Sequence, residues 1–100
     1  MTKIFFERTG GFMGRKVSLA IDMADLPEDQ ANLLDDLVHD ADFFQLPADL
    51  TQPAMPDAFT YNITISSEER QHSVRVSDTT APDDLRPLLE ELSRQARMQR

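Results

Sequence analysis

Thr9-Gly10-Gly11-Phe12-Met13-Gly14-Arg15 holds all three glycines of the chain, and the residues on either side of it alternate between apolar and polar. Upstream, Ile4 and Phe6 alternate with Phe5 and Glu7, which predicts a short strand over residues 3–8. Downstream, Val17, Leu19, Ile21 and Met23 alternate with Lys16, Ser18, Ala20 and Asp22. A period of two places each apolar set on one face of an extended chain. Glycine reaches positive-φ conformations that other residues resist, so the cluster reads as a sharply turning loop that closes a β-hairpin. Phe12 and Met13 ride on that loop. Apolar side chains at such a tip either fold back to cap the core or are offered to a partner, and the residues alone leave both readings open.

Beyond the hairpin, Pro27-Glu28-Asp29 has the form of a helix start. Proline suits the first helical position, and acids in the first turn complement the macrodipole. Ala31, Leu34, Leu37, Val38 and Ala41 then fall on one stripe, predicting an amphipathic helix of about four turns. Phe43, Phe44 and Leu46 are expected to clamp its end against the sheet, with Pro47 as the stop. Residues 45–58 contain Pro47, Pro53 and Pro56 and read as a long irregular connection. Phe59, Tyr61, Ile63 and Ile65 restart a strand, Ser67-Glu68-Glu69-Arg70 turns it, and His72, Val74 and Val76 mark its return. Leu85, Leu88, Leu89, Leu92 and Ala96 predict a closing helix, regular from Pro87 onward.

The expected fold is therefore α+β, order ββαββα, with a four-stranded antiparallel sheet and two helices on one face. Ser18, Ala20, Thr60, Asn62, Thr64, Ser73 and Arg75 would line the other face and look at water. Tracing strand directions brings the glycine loop, the proline-rich loop and Asp78-Thr79-Thr80-Ala81-Pro82 to one end of the domain, a common recognition arrangement.

One hundred residues suit a single domain spanning 1–100 with one hydrophobic core. There is no cysteine, so disulfides, thiolate zinc sites and cysteine nucleophiles are excluded together. The first residues lack the apolar run of a signal peptide and no segment approaches the ~20 apolar residues of a membrane span, so a cytoplasmic address is expected. The net charge of −8 is unevenly placed. Val17 to Glu69 carries twelve carboxylates and no lysine or arginine, while the remaining residues hold all ten basic side chains against six acids. Such a field repels phosphate backbones and anionic lipid, so neither nucleic acid nor a membrane surface is an expected partner. It serves either as a solubilising surface or to steer a basic or metal-bearing partner.

No nucleophile–base pair stands out, since the only histidines, His39 and His72, lie in no motif that sets a base beside a hydroxyl. His72 shares strand parity with Val74 and Val76, which predicts a histidine turned toward the core or its edge and bonded to a neighbour. His39 with Asp35 and Asp42 could face a metal along a helix, but mixed ligands on an acid-rich helix read more simply as a solvated face. The glycine loop lacks the lysine and the spacing of a P-loop, and a strand follows it. No enzyme, cofactor or metal is expected.

Arg8-Thr9-Gly10-Gly11-Phe12 with Gly14, then Phe43-Phe44-Gln45-Leu46-Pro47, Phe59-Thr60-Tyr61-Asn62-Ile63-Thr64-Ile65, His72-Ser73-Val74-Arg75-Val76-Ser77-Asp78, Pro82 and Leu85-Arg86-Pro87-Leu88-Leu89 occur in one collinear order. Taken together, this set resembles the emfourin family of protealysin inhibitors over almost the whole chain. The resemblance implies a small cytoplasmic inhibitor of thermolysin-family zinc metallopeptidases, with the zinc belonging to the peptidase. On that reading Gly10, Gly11, Phe12, Met13 and Gly14, with Asp78, Thr79 and Thr80, form the expected partner-binding set. Phe12 or Met13 would plug an apolar pocket, the glycines would permit close backbone approach, and Asp78 could reach the metal or a basic cleft residue. The protein is expected to act as a monomer. The rival reading is a non-catalytic interaction module or adaptor that uses the open sheet face.

Overall fold

The computed structural model describes residues 2–10, 16–51 and 59–98. The hairpin reading holds at both of its strands. β1 (Lys3–Gly10) and β2 (Val17–Asp22) pair antiparallel, with Ile4 opposite Ile21 and Phe6 opposite Leu19. The glycine loop between them, Gly11 to Arg15, lies outside the described residues. β2 stops one residue before Met23, which enters a short 3₁₀ turn that the Asp22 carboxylate caps at the Ala24 N–H.

Helix α1 (Glu28–Asp40) follows Pro27, which sits just outside the helix in extended conformation. Leu34 is fully buried and Leu37 and Val38 pack against the core, as the apolar stripe requires. The expected stop at Pro47 moves forward. Asp42 adopts a left-handed conformation (φ 51°) and donates its N–H to His39 O, so the helix closes at Ala41. A residue in this conformation reverses the chain and satisfies terminal carbonyls, which ends a helix without proline. Phe43 then turns into the core through a 3₁₀ turn and meets His72 edge-on, with ring centroids 5.6 Å apart.

Four strands were expected and the described residues form five. β3 (Asp49–Leu50) lies inside the segment read as irregular and pairs parallel to β5 (Gln71–Ser77), with Asp49 opposite Arg75 and Leu50 opposite Val76. Two residues are too few to show a period, and this strand exists because the Arg75 N–H has an acceptor at Ala48 O, 2.9 Å away. β4 (Phe59–Ser66) pairs antiparallel with both β1 and β5. The sheet is therefore mixed, in the spatial order β2-β1-β4-β5-β3.

The register puts Ile4, Phe6, Leu19, Ile21, Ile63, Ile65, Val74 and Val76 on one face, all buried. Leu34 and Phe43 cover that face together with Leu85, Leu88 and Leu92 of the closing segment. Helix α2 (Arg86–Met98) begins one residue before Pro87, which occupies the first turn, where its missing N–H has no intrahelical role. Each fully buried leucine of that layer is worth about 2 kcal/mol in apolar transfer, which is what holds the helix to the sheet. The opposite face carries exposed Ser18, Ala20, Ser73 and Arg75, and also Phe5, 44% exposed. No helix among the described residues is long and apolar enough to cross a membrane.

Candidate functional site

The ladder decides which loops meet. Gly10 ends β1 opposite Phe59, the first residue of β4, and Thr60 stands opposite Ser77, the last residue of β5. Asp78 donates its N–H to Phe59 O at 3.1 Å. Leu50 lies beside Val76 near the same end, and Thr51 caps the Asp49 carboxylate through its N–H at 3.0 Å and its hydroxyl at 2.6 Å. Consequently Gly10, Thr51, Phe59 and the turn Asp78–Thr80 share one rim, and the chain leaves or enters both loop segments there.

Of the expected partner-binding residues, Gly10 sits at this rim with φ 100°, a value that glycine alone adopts without strain. Gly11, Phe12, Met13 and Gly14 lie outside the described residues. Asp78, Thr79 and Thr80 form the turn after β5, but they are not equivalent. Thr79 is exposed. Thr80 is committed inward. Its hydroxyl donates to Leu50 O and accepts from the Ser77 N–H at 3.1 Å, and it lies 2.8 Å from the Ser77 hydroxyl. That network ties the rim turn to β3 and buries Ser77 to 4% exposure.

Asp78 lines a cleft of about 320 Å³ between the sheet and α2. Its Oδ1 is cut off from solvent and has no hydrogen-bond partner among the described residues. The cleft is also lined by Arg8, Tyr61, Arg86, Glu90, Ser93 and Arg97, with Ala81 and Leu89 as its apolar residues. Arg8 is held by cation–π contact with Phe59, 5.0 Å from its ring centroid. Burial pushes the Tyr61 phenol above its ordinary value and the Asp78 carboxylate adds to the rise, while Arg8 and Arg86 pull it down.

Sequence reasoning missed this cleft. Arg8 has the strand parity of Ile4 and Phe6, and Tyr61 that of Ile63, so two polar residues at core-parity positions near strand ends were the available signal. Arg86 and Arg97 could not be placed without the helix packing.

His72 takes the core-edge position that its strand parity suggests. His72 donates from Nε2 to Leu46 O at 2.7 Å, a bond that fixes its tautomer and pins the segment after α1 to β5. His39, Asp35 and Asp42 are exposed, and no metal-binding group of carboxylates and histidines occurs among the described residues.

The emfourin family model matches residues 6–93. The chain belongs to the emfourin family. Among solved structures, the chain is similar to emfourin (M4in) from Serratia proteamaculans, an M4 family peptidase inhibitor. The two share 24% identity over 87% of this chain and 84% of that one, with a TM-score of 0.49. No curated protein matches the sequence. Four of the sequence pieces that carry the emfourin likeness, around Arg8, Tyr61, Asp78 and Arg86, meet in the rim cleft.

Proposed function

We propose that this emfourin-family chain inhibits thermolysin-family (M4) zinc metallopeptidases, as a cytoplasmic monomer that blocks the active-site cleft with its loop-bearing rim. The observation that carries the reading is the convergence of Gly10, Thr51, Phe59 and Asp78–Thr80 on one edge of a rigid sheet. Paired strands fix the points at which these loops leave the sheet, which limits the ordering entropy lost on binding. Phe12, or Met13 beside it, supplies the apolar plug, and the flanking glycines allow the backbone to approach the partner closely. Rigid loop ends also keep a nicked loop in place, which lets an inhibitor survive slow cleavage.

The test is inhibition of thermolysin, and of a protealysin-like peptidase, by the purified chain. Near-stoichiometric loss of turnover is expected from the wild type. Phe12→Ala should weaken inhibition by about tenfold or more, as loss of an aromatic anchor does, with an unchanged unfolding curve. Equal potency of the folded variant removes Phe12 from the mechanism, and no inhibition by the wild type removes the function.

A further inference from the structure

The five-stranded sheet has two outer edges, and only one of them is guarded. β3, at one edge, is two residues long and too short to template another strand. β2, at the other, runs for six residues and pairs with β1 alone among the described strands. Val17–Asp22 contains no proline and no lysine, and its register with β1 is one-to-one with no bulge, so the devices that usually blunt an edge are missing. A groove of about 380 Å³ lies between this strand and the helices, with Leu19, Ile21 and Leu26 as apolar lining, so neither α1 nor α2 closes over the edge. Asp22 and Asp25 line the same groove, as does Arg94, which is already bonded to Glu91.

The ends of β2 say what fits there. Lys16 stands immediately before the strand and Asp22 ends it, both with the parity of exposed Ser18 and Ala20. A two-fold axis through Leu19, perpendicular to the sheet, lays a second β2 antiparallel beside the first. Lys16 then faces Asp22 twice, Val17 faces Ile21 twice, and Leu19 faces its own copy. Every opposed pair shares one side of the sheet, the apolar ones toward the helices and the polar ones toward water. Moving the axis one residue, to Ser18 or Ala20, keeps the sides but sets Lys16 against Ala20 or Ala24 and forfeits both ion pairs. Parallel pairing sets like charges side by side. Lys16 already bonds Glu7 at 3.2 Å, yet its side chain is 64% exposed and an ammonium has donors to spare, while Asp22 holds the Ala24 N–H through Oδ1 and keeps a second oxygen. A foreign strand would match the backbone, but nothing would impose on it the same charges at both ends. We infer that the β2 edge is a docking surface for a second copy of this chain, in an antiparallel two-fold pair that runs one sheet into the other. One strand per copy is a small seam, well short of the roughly 1,200–2,000 Å² of a tight interface, and two chains of net charge −8 repel. The pair is therefore weak and forms at high concentration. At the dilution of an inhibition assay the chain is the monomer of the inhibitor reading, on which this inference does not depend.

The experiment is sedimentation equilibrium of the full chain from about 10 μM to about 1 mM, the range in which so small an interface dissociates. The mean mass should rise from one chain toward two, and NMR spectra over the same range should show amide shifts centred on Lys16 to Asp22. Lys16→Glu sets a carboxylate against Asp22 at both ends of the seam, and Asp22→Lys sets an ammonium against Lys16. Each variant alone should self-associate about threefold to thirtyfold more weakly, the worth of two exposed ion pairs. An equal mixture of the two variants makes both ends complementary again, so its association should return to within about threefold of wild type. Circular dichroism checks that both variants fold. Should Asp22→Lys fail to fold for want of the Ala24 cap, Asp22→Asn keeps that cap and removes only the charge, and it should weaken the pair in the same direction as Lys16→Glu. A single mass up to about 1 mM, shifts centred on another surface, unchanged association in Lys16→Glu, or a mixture no tighter than either folded variant alone overturns the inference. Shifts of the β2 amides on adding thermolysin to a chain that stays single would give the edge to the peptidase instead.

Discussion

Thr80→Val removes one oxygen atom and little volume, and it isolates what holds the rim turn to β3. The lost hydroxyl serves Leu50 O, the Ser77 N–H and the Ser77 hydroxyl, and the last of these keeps Thr79 Oγ1 at 3.0 Å as a second partner. Two backbone groups are therefore stripped of this partner. A buried polar group left unbonded costs about 1–3 kcal/mol. Thr80 is only half-buried, so water can partly replace the hydroxyl, and the lower end applies, for a total of about 2 kcal/mol. For a domain of this size that corresponds to a fall in Tm of roughly 8–16 °C. Urea unfolding followed by far-UV circular dichroism measures the first number and a thermal scan the second. Thr80→Ser keeps the oxygen and loses one methyl, about 0.8 kcal/mol if fully buried, so it should stay close to wild type. A Thr80→Val chain within about 0.5 kcal/mol of wild type, inside the range of an ordinary surface substitution, would refute the reasoning. So would a serine variant as damaged as the valine one.

Phe43→Ala should destabilise the chain by about 3–5 kcal/mol, because Phe43 is fully buried and its ring packs against both Phe44 and His72; chemical denaturation checks this, and a cost under about 1 kcal/mol would show that the segment after α1 is not part of the core. Tyr61 is the sole tyrosine, so tyrosinate absorbance reports on it alone. Its folded value is raised, meaning the fold prefers the neutral phenol, so this stabilisation is complete below about pH 10 and is lost as pH climbs through the raised folded value. The folded chain should thus titrate at higher pH than the urea-unfolded chain, and Tyr61→Phe should flatten the alkaline decline; a folded midpoint at or below the unfolded one contradicts the burial of the ring.

The alternation of Val17, Leu19 and Ile21, and of Ile63, Ile65, Val74 and Val76, was enough to place both hairpins and to say which side chains face inward. A two-residue period survives any tertiary context that keeps one sheet face dry, and the leucine stripes of both helices work in the same way. Composition alone also excluded disulfides, and strand direction alone brought the described ends of the irregular segments, Gly10, Thr51 and Phe59, to one rim. β3 escaped because Asp49 and Leu50 become a strand only when Ala48 O meets the Arg75 N–H, a contact between residues far apart in the chain. The end of α1 escaped because left-handed Asp42, not Pro47, closes it. At the rim, Asp78, Thr79 and Thr80 looked alike as polar turn residues. Packing made them different, turning the Thr80 hydroxyl into the protein, leaving Thr79 in water, and setting Asp78 in a cleft shared with arginines drawn from β1 and α2. Local pattern records which face a residue takes, whereas a cleft is built from residues that meet only after the sheet and its helices have packed.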